Sequence, residues 1–205
     1  DKHLGLDAII ITISKENNKN FSLIDVPVKI REDNVNSYWK AKGHELIING
    51  GYFDYNFNPV GLCKVNGRFV NKRKSKKLSG FVAIDKEGKL FLLTQKSNLK
   101  EYPTILQSGP YIIDPGGKIG IRSSTGRKAR RSLIGLLKNG SIVFIVTKEI
   151  DLLSLSKAIK KTMPKLDRLL NLDGGPSTGL RSNDIKILNS SAVRNYLVKN
   201  IDSAL

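Results

Sequence analysis

The residues best equipped for chemistry lie together in Asn171-Leu-Asp-Gly-Gly-Pro-Ser-Thr178. Asp173 brings a carboxylate, and Ser177 and Thr178 bring hydroxyls. Gly174 and Gly175 let backbone N–H groups approach an anion or a sugar oxygen with no Cβ in the way. A plain turn capped by an Asx side chain uses the same residue types, so this stretch alone fits either reading. Asn49-Gly-Gly-Tyr-Phe-Asp54 repeats the pattern with a carboxamide, a glycine pair and a carboxylate. Gln107-Ser108-Gly109-Pro110 and Arg127-Lys128-Ala129-Arg130-Arg131-Ser132 add glycine-freed donors and cations. Arginine forks bind phosphate bidentately, and glycine nests hold its remaining oxygens. Together the stretches suit a ligand that carries both sugar hydroxyls and a phosphate.

Apolar runs must position these loops. Leu166, Leu169, Leu170 and Leu172 read as a buried strand before Asp173, and Glu45–Ile48 as a short strand before Asn49. Thr104–Gln107 leads into Ser108-Gly109-Pro110, and Tyr111–Ile113 continues that strand. Asp151–Lys161 is the clearest helix, with Leu152, Leu155, Ile159 and Met163 on one face and Pro164 past its end. Ser154-Leu-Ser-Lys157 matches a Ser-x-x-Lys pattern, but it lies on this ordinary amphipathic helix. Asp33 or Asn34 caps a second helix over Val35–Lys42 that stops at Gly43.

Turn chemistry predicts the hairpins. Ala8–Ser14 and Phe21–Val28 form an opening hairpin across Asn17–Asn20, and Asn66-Gly67 sits at the tip of another. Leu78–Ile84 pairs with Lys89–Thr94 across Asp85–Gly88, and Ser132–Leu137 pairs with Ser141–Thr147 about Lys138-Asn139-Gly140. Ile185–Leu188 and Tyr196–Val198 are short terminal strands. Many hairpins and few helices argue for an α+β fold with mixed or antiparallel sheets, rather than a doubly wound one, in a single domain over residues 1–205.

Composition narrows the chemistry. Lys and Arg number 35 against 18 Asp and Glu, a formal charge of +17, which points to an anionic partner. A lysine-favouring genome produces the same excess. The charge concentrates in two segments without acids: Lys64, Arg68, Lys72, Arg73, Lys74, Lys76 and Lys77, then Lys118–Arg131. Both read as exposed loops. His3 and His44 lie at no metal-ligand spacing, a lone Cys63 excludes an internal disulfide, and Gly-x-Ser-x-Gly is absent. No segment approaches the roughly 18 apolar residues of a membrane span. The sequence starts at Asp1, so removal of a leader would favour an extracellular or periplasmic location.

Asn49-Gly-Gly-Tyr-Phe53, Gln107-Ser-Gly-Pro110, Arg131-Ser-Leu-Ile-Gly135, Asn171-Leu-Asp-Gly-Gly-Pro-Ser-Thr178 and Val193-Arg-Asn-Tyr-Leu197 follow the order and spacing of the phosphodiester glycosidase family, which the chain resembles over Glu45–Lys199. The resemblance implies hydrolysis between an anomeric carbon and phosphate in a sugar-1-phosphodiester. It implies a site of Asn49, Gly50, Gly51, Ser108, Gly109, Arg127, Lys128, Arg131, Asp173, Gly174, Gly175, Ser177, Thr178 and Asn195. Asp173 would be the general base or oxocarbenium stabiliser, with Asp54 as second carboxylate. Arg131, with Arg127 or Lys128, would hold the departing phosphate, and Asn49 and Ser177 would orient sugar hydroxyls.

The sequence departs from the family pattern at Tyr52, Ser132 and Pro176, and Pro176 removes a backbone donor from the loop. No cofactor is required on this reading, which leaves room for a structural divalent cation. The expected partner is an anionic phosphorylated carbohydrate. Two alternatives stand beside it. One is a metal-assisted phosphodiesterase using Asp54, Asp114 and Asp173. The other is a silent binder of anionic polymer or nucleic acid. Nucleic acid is not expected, because Phe69 is the one aromatic within either basic run.

Overall fold

Tight turns build the chain into antiparallel pairs, and a computed structural model describes residues 7–39 and 43–202. The first third contains β1 (Ala8–Ile13), β2 (Phe21–Asp25), helix α1 (Val35–Trp39), β3 (His44–Asn49), β4 (Cys63–Val65) and β5 (Arg68–Asn71). Next come β6 (Gly80–Ile84), β7 (Leu90–Thr94), β8 (Thr104–Ser108), β9 (Tyr111–Asp114) and β10 (Lys118–Ile119). The remainder is β11 (Ala129–Leu137), β12 (Ile142–Ile150), helix α2 (Leu152–Thr162), β13 (Leu166–Asn171), β14 (Leu180–Ser182), β15 (Lys186–Ile187) and β16 (Asn195–Asn200).

These strands form three sheets. The six-stranded sheet runs β1-β12-β11-β13-β9-β10, and the two five-stranded sheets run β15-β14-β3-β16-β2 and β5-β4-β8-β6-β7. The α+β architecture with few helices is therefore as the sequence predicts. So are the hairpins β4–β5, β6–β7 and β11–β12. Asn66 and Gly67 both take positive φ at the β4–β5 tip, as a two-residue turn of matching twist requires.

The opening hairpin is a correction. β1 pairs with β12 and β2 with β16, so the two segments lie in different sheets. Both are short and apolar, and each takes the edge position of its own sheet. Thr104–Gln107 and Tyr111–Ile113 likewise do not continue one another within a sheet. The chain leaves the third sheet after Ser108, passes the cis Gly109–Pro110 peptide and enters the six-stranded sheet as β9. The second basic loop is shorter than expected: Lys118–Ile119 and Ala129–Arg131 are strand, which leaves residues 120–128 as the connection. Helix α1 ends at Trp39, and the rest of the predicted Val35–Lys42 span lies outside the described residues.

One apolar cluster joins all three sheets, through Leu46 and Ile48 of β3, Val82 and Leu106 of β6 and β8, and Ile134, Phe144 and Leu170 of the six-stranded sheet. Helix α2 covers the outer face of that sheet, laying Leu155 and Ile159 against Leu133, Val143, Ile145 and Leu169. Asp151 caps α2, accepting from the backbone N–H groups of Leu153 and Ser154 at 3.1 Å each. Burial of both faces explains why β6 and the middle of β11 read as continuous apolar runs rather than alternating ones.

Candidate active site

Strands from all three sheets end at one place. β3 ends at Asn49, β8 at Ser108 and β13 at Asn171, while β16 starts at Asn195 opposite Asp25 and beside Asn49. Asn49 fastens the junction and is fully buried. Its Nδ2 donates to the Asp173 carbonyl at 2.7 Å, and its Oδ1 accepts from the Ser132 hydroxyl at 2.6 Å and the Gly179 N–H at 3.1 Å. Asn49, expected to orient sugar hydroxyls, is placed with both ends of its carboxamide engaged inside the protein.

Asn195 acts in the same way on the other loop. Its Oδ1 accepts the Gly51 N–H at 2.8 Å, and its carbonyl accepts the Gly50 N–H at 2.9 Å. A Cβ on Gly50 would stand 1.9 Å from that Oδ1, so the close approach admits no side chain. Gly50 in turn accepts the Asp173 N–H at 3.0 Å, which links the two Asn-containing loops directly. From the third sheet, the Ser108 hydroxyl and Gly109 N–H both donate to the Asn171 carbonyl, at 2.8 and 3.0 Å. Ser108 and Gly109 therefore buttress the strand end.

The chemistry-bearing group held by this frame is Asp173. Burial pushes its carboxyl above the usual carboxylate range, against the opposing pull of the Ser177 hydroxyl, the Gly174 N–H and the Arg127 charge. The Gly174 N–H reaches Asp173 Oδ1 at 2.8 Å. Tyr52 stands close by, and its phenol oxygen accepts a hydrogen bond from Asn171 Nδ2. Burial and then the Asp173 charge push the phenol above its ordinary value, so it stays protonated with its own O–H available to donate. Asn171 Oδ1, Thr178 Oγ1 and Asn195 Nδ2 are buried with no hydrogen-bond partner among the described residues.

Beside this carboxylate opens a cleft of about 360 Å³ lined by Arg127, Lys128, Ala129, Arg130, Glu149, Gly175, Pro176 and Ser190. Gly175 has φ +60° and open space where a Cβ would stand, and it starts a single 3-10 turn, Gly175–Ser177, with Pro176 in its opening positions. Pro176 is thus built into the loop rather than disrupting it, and its carbonyl accepts the Ser190 N–H at 2.9 Å.

The arginines divide by task. Arg131 donates from Nε to the Ile150 carbonyl at 3.0 Å and from Nη2 to the Arg127 carbonyl at 2.9 Å, and Arg130 donates to the Thr178 carbonyl at 3.0 Å. Arg127 and Lys128 are exposed and form no salt bridge among the described residues. Arg131, expected to hold the departing phosphate, props the loop with two of its donors, while the exposed Arg127 and Lys128 present charge with no salt bridge among the described residues.

Asp54 is not brought to the junction network. It is exposed, its Oδ1 accepts the Asn58 N–H at 2.9 Å, and its N–H and carbonyl close the same loop. Asp114 ends β9 one strand length from the junction, and no group of three or more His, Cys, Asp or Glu able to hold a metal occurs among the described residues. The trio Asp54, Asp114 and Asp173 therefore does not assemble. Sequence reasoning did not nominate Tyr52, Asn171, Arg130, Glu149 or Ser190. Tyr52 had a usable signal, since it follows a glycine pair at a strand end; Ser190 had none.

The family model for phosphodiester glycosidases matches residues 42–201. The chain belongs to that family. No curated protein matches the sequence. Among solved structures, the pro-peptide-inhibited catalytic domain of zebrafish N-acetylglucosamine-1-phosphodiester alpha-N-acetylglucosaminidase is similar, with TM-score 0.69 and 15% identity, covering 96% of this chain and 83% of that one. A hypothetical protein from Synechocystis matches with TM-score 0.68 and 14% identity, covering 93% of this chain and 58% of that one. At these identities the likeness shows the fold. Membership supports a glycosidase-type activity on phosphodiester sugars, and so a phosphorylated glycan as the kind of substrate. Among the described residues, no helix is long and apolar enough to cross a membrane.

Proposed function

We propose that the protein is a hydrolase that cleaves the anomeric C–O bond of a sugar-1-phosphodiester, releasing sugar from a phosphorylated glycan or polymer. The observation that carries this reading is a half-buried carboxylate, Asp173, that feels the charge of Arg127 and runs through Gly174 into Gly175 of the cleft that Arg127 and Lys128 line, both without a salt bridge among the described residues. In the proposed step, the anomeric C–O bond breaks and its electron pair leaves on the bridging oxygen of the phosphate. A water oxygen bonds to the anomeric carbon, and Asp173 takes the water proton and later returns it to solvent.

A phosphate monoester is a weak base, so this departure needs charge stabilisation more than a strong general acid. Arg127 and Lys128 supply it. The Tyr52 O–H is the donor suited to a sugar oxygen.

The test is turnover of a synthetic sugar-1-phosphodiester in ¹⁸O-labelled water beside the Asp173→Asn protein. Label in the released sugar, lost with the variant, is the expected result. Label in the phosphate would mean P–O cleavage and would overturn the proposal.

A further inference from the structure

Five exposed cations, Lys72, Arg73, Lys74, Lys76 and Lys77, follow β5 without an intervening acid and without a salt bridge among the described residues. A solvated lysine run is ordinarily loose, but the backbone of this one is clamped. Gln107 Oε1 accepts the Ser75 N–H at 2.8 Å, and its Nε2 donates to the carbonyls of Ser75 and Leu78 at 2.8 and 3.0 Å. Asn71 ties its start, taking the Arg73 N–H at 2.9 Å and donating to the Pro59 carbonyl at 2.7 Å. Lys74 lies over the Phe81 ring at 5.4 Å.

The clamp is also the site's own buttress. Gln107 immediately precedes Ser108 and Gly109, and the basic segment runs straight on into Ser79. The Ser79 hydroxyl accepts the Tyr111 N–H at 2.7 Å, and a Cβ on Gly109 would meet the Ser79 nitrogen at 2.6 Å. In the six-stranded sheet β13 lies between β11 and β9. Asp173 therefore has Arg127 and Lys128 on its β11 flank and the Lys72–Lys77 segment beyond its β9 flank. In the third sheet Gly80 and Ser108 lie at the site end, while Asp85, Glu87 and Glu101 with the single cation Lys86 line a cleft at the other.

We infer that Lys72, Arg73, Lys74, Lys76 and Lys77 form a second anion subsite, which binds phosphates of a polymeric substrate one or more repeats away from the linkage being cut. The inference rests on the proposed hydrolase reading and names its substrate class: a glycan that repeats phosphate along its backbone rather than an isolated sugar phosphodiester. Cations held on a fixed loop lose little entropy on binding. Their attraction for a polyanion is cumulative and screened by salt.

The test compares the parent protein with a variant carrying Gln at all five positions, and with a charge-matched control carrying Gln at the exposed Lys86, Lys138, Lys157, Lys161 and Lys165. All of these side chains are exposed, so folding is checked by thermal melting and is expected to be retained. With a poly(glycosyl phosphate), KM is expected to rise about tenfold or more in the loop variant at low salt, with kcat unchanged, and much less in the control. With a monomeric sugar-1-phosphodiester the three proteins should agree.

Binding of long-chain inorganic polyphosphate gives a readout independent of turnover, and its affinity should fall in the loop variant alone. Equal losses in loop variant and control would reduce the segment to bulk charge and overturn the inference. So would single-stranded nucleic acid binding as tightly as polyphosphate. If no protein turns over either sugar substrate while the loop variant still loses polyphosphate binding, the hydrolase reading falls and the anion subsite stands.

Discussion

Asn49-Gly-Gly-Tyr-Phe-Asp54 and Asn171-Leu-Asp-Gly-Gly are near twins as sequence, each placing an Asn at a strand end with a glycine pair and an aspartate after it. The fold uses them in opposite ways. In the first loop the Asn is the working group, buried and tied by three side-chain hydrogen bonds that hold its neighbour, while Asp54 closes a surface turn. In the second the aspartate is the working group, held above the usual carboxylate range by burial, and Asn171 supports Tyr52. The difference teaches that the value of a carboxylate is set by what surrounds it. β13 lies in the middle of a sheet and its end is covered by two other sheets, whereas Asp54, Tyr55, Asn56 and Asn58 face solvent.

Exchanging the two aspartates breaks the comparison most sharply. Asp173→Asn should cost about 10²–10⁴ in kcat/KM on a sugar-1-phosphodiester, as expected for loss of a general base. Asp54→Asn should change it by about twofold or less, the scale of ordinary surface changes. Steady-state kinetics on both proteins decides, and equal losses would restore Asp54 as second carboxylate.

Asn49→Ala is expected to strip three hydrogen bonds and leave the Ser132 hydroxyl and the Gly179 N–H buried without their acceptor. The cost is about 1–3 kcal/mol for each orphaned group, read by denaturant unfolding. A variant with unchanged stability would show that Asn49 is no clasp.

The glycine pairs separate next. Gly50→Ala should destabilise by about 1–3 kcal/mol through collision with Asn195, and Gly175→Ala by about 1–2 kcal/mol through its positive φ alone. A larger loss at Gly175 than at Gly50 would reverse the order of tightness argued for the two loops.

The smallest effect is on stability against pH. The folded-state pKa of Asp173 is raised, so the folded protein holds this proton more firmly than the unfolded chain. Its contribution is then fully present below the ordinary carboxylate value and is lost as pH rises through the raised one. Asp173→Asn should accordingly melt higher than the parent at neutral pH and converge with it in acid, even as activity disappears. A lower melting temperature at neutral pH would mean that the carboxylate is a net stabiliser there. The acid limb of kcat/KM should also lie above that of a solvent-exposed carboxylate.

Local chemistry was readable from the chain because it depends on few residues. Asn66-Gly67 and Asn139-Gly140 specify their turns through backbone freedom, and Asp151 with Pro164 brackets α2 through capping and a missing N–H. The apolar approaches to Asn49 and Asn171 were legible for the same reason. Pairing was not. Ala8–Ile13 meets Ile142–Thr147 across more than a hundred residues, and nothing in its composition selects that partner over Phe21–Asp25. Arg131 was nominated over Arg127 because a motif marks position, whereas the direction in which a guanidinium donates follows from which carbonyls surround it.

The sequence by itself determined the hairpin-rich α+β class, the family motifs and the loops in which the chemistry sits, since turn preferences, strand periodicity and motif spacing are properties of neighbouring residues. Tertiary structure alone decided which aspartate is shielded, which arginine is free and which asparagine is a clasp. Those outcomes depend on desolvation and hydrogen-bond partners supplied by three sheets that meet around Asp173, and burial is a property of the assembled fold.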